Sequence, residues 1–257
     1  YLRALRRKDH FVTAMRYLLL LFCLALWELA ARVGWIDPFI GSSPSRLWAA
    51  ILRLYQAGEL WGHIGVTLLE TVVGFVAGTL LGTLAAVFLW WSATLNRILD
   101  PYLVILNALP KIALGPILIV WFGAGMKSII VMGLLISLVV TIMSVLAGFN
   151  AITDEKQLLM RTLGASKMQI LTMVVLPASL PTIMNALKIS VGMSWVGVIV
   201  GEYLVSKAGL GYLIVYGGQV FNLDLVMASI VILCLLAAIM YYGVAYLERR
   251  ICQRVGA

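Results

Sequence analysis

Five ionisable residues interrupt or border long apolar runs: Glu28, Glu70, Lys111, Lys188 and Glu202. Charge at bilayer depth is costly, so such residues face a cavity, a partner or a relay. The three glutamates could pass protons in an ion-coupled carrier. The competing role is interfacial or paired placement, because Glu28 and Glu202 fall near the ends of their runs. Lys111 also fits two roles: beside Pro110 it could attract an anion, or it could snorkel to an interface. Asn107, Pro110, Lys111, Met193, Trp195 and Glu202 are the candidate translocation-path residues, although a tryptophan in such a run also serves packing. His10 and His63 stand alone, and Cys23, Cys234 and Cys252 have neither metal nor disulfide spacing. The chain has no G-x-S-x-G, H-E-x-x-H or G-x-x-x-x-G-K-[ST]. The residues thus point away from an intramembrane enzyme, and no metal or cofactor is expected in this chain.

The elements that carry these residues are set by composition. Of 257 residues, 63% are apolar and 12% charged, and the mean hydropathy is +1.03. The solvent for most of the chain is therefore a bilayer, in which apolar runs of this length without strict alternation are helices. Six spans are expected, at about 15–33, 64–90, 101–122, 127–149, 183–205 and 223–247, in one transmembrane domain over 15–247. A basic segment, 1–14, precedes them and a basic tail, 248–257, follows. The first run resembles a signal peptide but lacks a small-residue cleavage site before Arg32, so it reads as an uncleaved span.

Between spans one and two, GWIDPFIGSSPSRL reads as a loop. The following Leu47, Ile51, Leu54 and Tyr55 have helical spacing, which predicts an amphipathic helix at the membrane surface. Gly74, Gly78 and Gly82 recur every four residues and form a ridge that another helix can approach closely. WWSATLNRILDP reads as a short polar turn. Span three is broken by Pro110, Gly115 and Pro116, and backbone freed at that depth must be buried in protein or line a wet cavity.

A net charge of +8 could suggest nucleic acid, but the basic residues cluster at the ends of the apolar runs. With six spans, twelve Lys and Arg fall on the side of the termini and five on the other, setting aside Lys111 and Lys188. The positive-inside rule then places both termini in the cytoplasm.

The stretch 150–181 lies on that side. Thr153 can cap a helix that runs to Leu163, with Asp154 and Glu155 in its first turn. Gly164 supplies the left-handed residue that ends it. Ser166 and Gln169 have the spacing of a capping box for a second helix, which Pro177 and Pro181 end or bend. Leu158, Leu159, Met160, Leu163 and Met168 are too many apolar side chains for so small an elbow to bury within itself. It is either folded against its own bundle or a docking knob for a second protein.

Gly164, nine further residues, and then Val174-Val175-Leu176-Pro177 resemble the E-A-A, G, I-x-L-P segment of inner-membrane permeases of ABC importers. The E-A-A positions hold Leu158, Leu159 and Met160, a departure that removes the family's glutamate. LPKIALGPILIVWFGAG, GASKMQILTMVVLPASLP, GVIVGEYLVSKAGLGYLI and LERR resemble the nitrate/sulfonate/taurine branch. The resemblance implies an all-α membrane protein of MetI-like fold with six transmembrane helices. It implies a coupling elbow built from Leu158, Leu159, Met160, Arg161, Gly164, Ala165, Ser166, Leu176 and Pro177. It also implies a second permease copy in a homodimer, a pair of cytoplasmic ATPases that hold ATP and Mg, and an extracytoplasmic solute-binding protein. The location implied is the bacterial inner membrane, and the role that of a translocation subunit for a small anionic solute. An ion-coupled secondary transporter is the alternative. It would work without ATP and often shows two similar halves, which this sequence lacks.

Overall fold

The computed structural model describes residues 2–255, with the side chains of 2–10, Pro38, Asp154, Arg254 and Val255 outside the description. The basic side chains Arg3, Arg6, Arg7, Lys8 and Arg254, and those of His10 and Asp154, therefore lie outside the described residues. All regular structure among the described residues is helical. In chain order the helices are α1 (Leu2–Val33), α2 (Pro38–Gly41), α3 (Pro44–Gln56), α4 (Leu60–Trp91), α5 (Ala93–Ala108), a 3-10 turn (Lys111–Leu114) and α6 (Gly115–Phe122). There follow α7 (Met126–Asn150), α8 (Asp154–Thr162), α9 (Lys167–Ile170), a π-helical turn (Leu171–Val175), α10 (Leu176–Val205), α11 (Leu210–Gln219) and α12 (Leu223–Val255). Five helical stretches are long and apolar enough to cross a membrane, and α5 with the segment 111–122 forms a sixth that is bent by 86°.

The chain divides into two compact units. One comprises the residues up to Trp61 together with Leu213–Val231. In it, Leu47, Ala50 and Leu54 of α3 are buried, and Leu47 and Ala50 pack with Ala228, Trp27 and Met227. Of the apolar side expected at the membrane surface, Leu47 and Leu54 are thus covered by protein, with the small, fully buried Ala228 of α12 beside Leu47, while Ile51 is half-buried and Tyr55 exposed. Polar bonds fix the packing. The Ser42 hydroxyl donates to Asp224 at 2.7 Å, and Arg46 pairs with the same carboxylate at 3.0 Å. Glu28 accepts from the Ser45 amide at 3.0 Å and from Arg32 at 2.8 Å, so it is a paired residue.

The other unit holds Gly62–Tyr212 and the rest of α12 from Ile232. Gly74, Gly78 and Gly82 are buried against α7: a Cβ on Gly78 would come within 3.2 Å of the Leu134 carbonyl oxygen, and one on Gly82 within 2.8 Å of Thr141 Cβ. A second seam joins α7 to α10. A Cβ on Gly197 would lie 2.6 Å from Gly133 Cα, and Thr141 and Ser190 share a hydrogen bond of 2.6 Å. Small residues let helix backbones approach closely in a solvent that supplies no hydrophobic drive between helices.

The contacts settle direction within this unit. The C-terminal end of α4 (Ala86, Leu89) and that of α7 (Val145, Leu146, Phe149) share one buried cluster, so the two helices run parallel. The segment between them must cross from that end to the other. Leu103 of α5 lies in the same cluster, whereas Leu118 of α6 packs on Met132 and Ile136 nearer the opposite end of α7. The bent pair is therefore one crossing.

Several boundaries differ from the sequence expectation: α1 begins at Leu2, the expected loop GWIDPFIGSSPSRL holds α2 and the start of α3, and α12 runs on to Val255 through the expected tail. WWSATLNRILDP is not a turn: α4 runs to Trp91, and Ser92 caps α5 by accepting from the Leu95 amide at 3.2 Å. Pro101 lies inside α5 and does not begin it. Pro177 and Pro181 neither end the helix nor part it from span five, which continues from Lys167 to Val205. The π turn ends at Val175, two residues before Pro177, and its last bond, Leu176 amide to Leu171 carbonyl, widens the helix just ahead of the residue that supplies no donor.

Candidate functional site

Two regions combine chemistry with unusual geometry. The first is the elbow between α7 and α10. α8 ends in a pair of bonds, Ala165 amide to the Met160 carbonyl at 2.9 Å and Gly164 amide to the Arg161 carbonyl at 3.0 Å. This pattern is a Schellman motif, which needs a left-handed residue at its turn, and Gly164 has φ +80°. Ser166 and Gln169 then form a reciprocal capping box, with the Ser166 amide donating to Gln169 Oε1 at 2.7 Å. Thr153, expected to cap α8 with its hydroxyl, makes no such bond; its carbonyl takes the Lys156 amide at 3.1 Å instead.

The elbow has two sides. Met160, Ala165, Ile170, Leu171 and Leu176 pack on the cluster at the ends of α4 and α7. Leu158, Leu159, Leu163, Met168 and Met173 are 58–74% exposed. Arg161 and Ser166 are exposed and Pro177 is half-buried. The structure thus brings the elbow residues into one compact turn, with an apolar outer side that the rest of its unit does not cover.

The second region is at the far end of α4, parallel to the start of α7. Glu202, 1% exposed, accepts from the Thr67 hydroxyl at 2.6 Å and from the Gly211 amide at 2.5 Å. The Thr67 oxygen accepts from the Leu210 amide at 2.8 Å, and His63 Nδ1 from the Gly209 amide at 2.9 Å. Three successive amides that open α11 are each held by a side chain, where intrahelical acceptors do not exist. Gly209 has φ +113°, and a Cβ on Gly211 would lie 2.7 Å from the Glu202 carboxylate. The G-L-G triplet is therefore the space into which the carboxylate fits. Glu70, one turn along α4 from Thr67 and 1% exposed, meets the Glu202 carboxyl.

The six candidate path residues fall in three places. Asn107, Pro110 and Lys111 stand together at the break in span three, where Lys111 Nζ donates to the Asn107 carbonyl at 3.1 Å. Glu202 is committed to the clasp on Gly209–Gly211. Trp195 is 3% exposed and Met193, two residues before it, is 37% exposed. Trp195 borders an open cleft with Asn185, Lys188, Tyr241 and Tyr242, in which Lys188 is paired with Glu248 at 2.9 Å. The sequence reading left Lys188 without a partner, and the Glu248 in LERR was the available signal. His63 and Thr67 were also missed as clasp residues, since their partners lie about 140 positions away in the chain.

Comparison with known proteins decides between the readings. Residues 78–253 match the family described as binding-protein-dependent transport system inner membrane component. The chain belongs to that family. It is 34% identical to a Haemophilus influenzae protein named as a probable ABC transporter permease, over 88% of this chain and 92% of that one. It is 28% identical to the taurine transport system permease protein TauC of Escherichia coli, over 89% of this chain and 85% of that one. A solved structure of the MetNI methionine ABC transporter matches the fold with TM-score 0.65 at 23% identity, over 78% of this chain and 97% of that one. The protein is a multi-pass permease of the inner membrane, the translocation subunit of an ABC importer, and not an enzyme. The family works with an ATPase, which hydrolyses the ATP, and a binding protein. The ion-coupled carrier is set aside with the family assignment, and its glutamates Glu28 and Glu202 already have structural partners.

Proposed function

We propose that this permease carries a small organic sulfonate of the taurine or alkanesulfonate class, and that its ATPase docks on the outer side of the elbow between α7 and α10, through Leu158, Leu159, Leu163 and Met168. The observation that carries the docking is the apolar outer side of the elbow, Leu158, Leu159, Leu163 and Met168, which is exposed while the inner side is packed. Leu158, Leu159 and Met160 replace the E-A-A residues, so contact here is by shape and apolar area. Arg161 adds a positive charge beside it. The solute class rests on relatives named for taurine and aliphatic sulfonates. Lys111, at the break in span three, is the cation suited to meet such an anion. Asn107, Pro110, Met193 and Trp195 are the further path candidates, while Glu202 acts by holding the backbone that borders the path. Both termini and the elbow face the cytoplasm, two copies pair as a homodimer, and the partner ATPases hold ATP and Mg.

The test is reconstitution in proteoliposomes with the partner ATPase and binding protein. Taurine or an alkanesulfonate is expected to accumulate only with ATP. Leu159→Glu puts a charge in the apolar contact and should lower ATPase co-purification at least about tenfold, the equivalent of about 1.4 kcal/mol. Undiminished binding by that variant would place the docking site elsewhere.

A further inference from the structure

We infer that Lys167 is a positioning residue that ties the elbow to the end of α4, so that elbow movement reaches α4 as well as its covalent neighbours α7 and α10. Lys167 is the first residue of α9, directly after the Ser166 cap. Its ammonium stands 5.7 Å from the Trp90 ring centre and 5.6 Å from that of Trp91, both within cation–π reach. It also donates to the Trp91 carbonyl, the last of α4. A helix C-terminus carries unpaired carbonyls and partial negative charge, so a cation there meets both the rings and the dipole.

The geometry argues against a lysine that merely reaches for water. A snorkelling lysine extends its head away from apolar groups, whereas this one lies against two indoles and a backbone acceptor 76 positions away. Trp90 in turn meets Phe149 edge-on, with ring centres 6.4 Å apart, and Phe149 is fully buried at the end of α7. The lysine thus joins the elbow to the point where α4 and α7 meet. No chain link connects the elbow to α4 directly, since the bent pair and α7 intervene. Lys167, with the apolar contacts behind it, supplies that link, and rigid elements joined in this way move together.

The inference rests on the elbow being the docking site, and its test separates the two. In the reconstituted importer, Lys167→Met keeps the length of the side chain and removes its charge. The variant should bind ATPase as the wild type does and hydrolyse ATP, while solute taken up per ATP falls about fivefold or more. Lys167→Arg keeps a cation over the rings and should restore the ratio. Trp91→Leu, which leaves Lys167 in place, should lower it in the same sense. An unchanged ratio in Lys167→Met overturns the inference while leaving docking intact. Loss of ATPase binding in Lys167→Met also overturns it, because the lysine would then belong to the docking surface. Should Lys167→Met fail to reach the membrane, the Trp91→Leu ratio decides. Docking itself stands or falls separately with Leu159→Glu.

Discussion

Glu202 shows what a single intramembrane charge can be for. On sequence alone its position near a span end favours paired or interfacial placement over a proton relay, and leaves a path role open. The structure gives it a backbone role: it caps α11 and needs Gly209 and Gly211 to make room. Gly209→Ala should therefore be costly, because φ +113° is strained for any L side chain and the new Cβ would strike the carboxylate. A loss of about 1–3 kcal/mol follows for one strained residue. Denaturant titration of the purified variant in mixed micelles measures it, and wild-type stability would show that the clasp is not formed. The capping box at Ser166 and the turn at Gly164 were legible because every partner lies within a few residues. The Glu202 clasp was not, since Thr67 and His63 reach it only through the packing of α4 on α10.

At the scale of helices, spacing carried some information and proline misled. The ridge Gly74, Gly78, Gly82 could be read from its period of four, and it lies against α7. The matching seam between α7 and α10 was harder to see, because Ser190, Ser194, Gly197 and Gly201 mix residue types. Pro177 and Pro181 suggested a helix end, but a π turn let one helix run on from the elbow into the bilayer. That continuity has a mechanical consequence: the second arm of the elbow is the start of span five. The α4–α7 seam can be tested directly. Gly78→Leu places four carbons where the Leu134 carbonyl and Ser137 already stand, and overpacking of this kind costs about 1–3 kcal/mol even where neighbours can shift. Backbone cannot shift as a side chain does, so the yield of folded protein in detergent should fall several-fold and uptake with it. Normal yield and transport would mean that this face of α4 lies on lipid.

For the whole molecule, sidedness turns on whether the bent pair crosses. If α5 and α6 turned back, the crossings would number five and the termini would lie on opposite faces. The elbow would then share the extracytoplasmic side with the C-terminal tail, and Lys and Arg would divide eight to nine, with no bias. With the bent pair as a crossing the division is twelve to five, the asymmetry by which cytoplasmic segments are recognised. The parallel course of α4 and α7 argues the same from geometry alone, since a chain that leaves one end of the bundle and resumes at the other has to cross between them. The two lines are independent, one from charge and one from packing. The expected outcome is that a cysteine at Lys156 is shielded from an impermeant maleimide in intact cells and one at Lys127 is labelled. Lys156 and Lys127 bracket α7, so exchange of the two results would invert the bundle, while labelling of both or neither would deny that α7 crosses. A third site, Arg97, fixes the bent pair: shielding there beside labelling at Lys127 requires α5 and α6 to span the bilayer. The native cysteines Cys23, Cys234 and Cys252 must first be replaced by serine or alanine, because two of them are exposed in this chain and would label in its place.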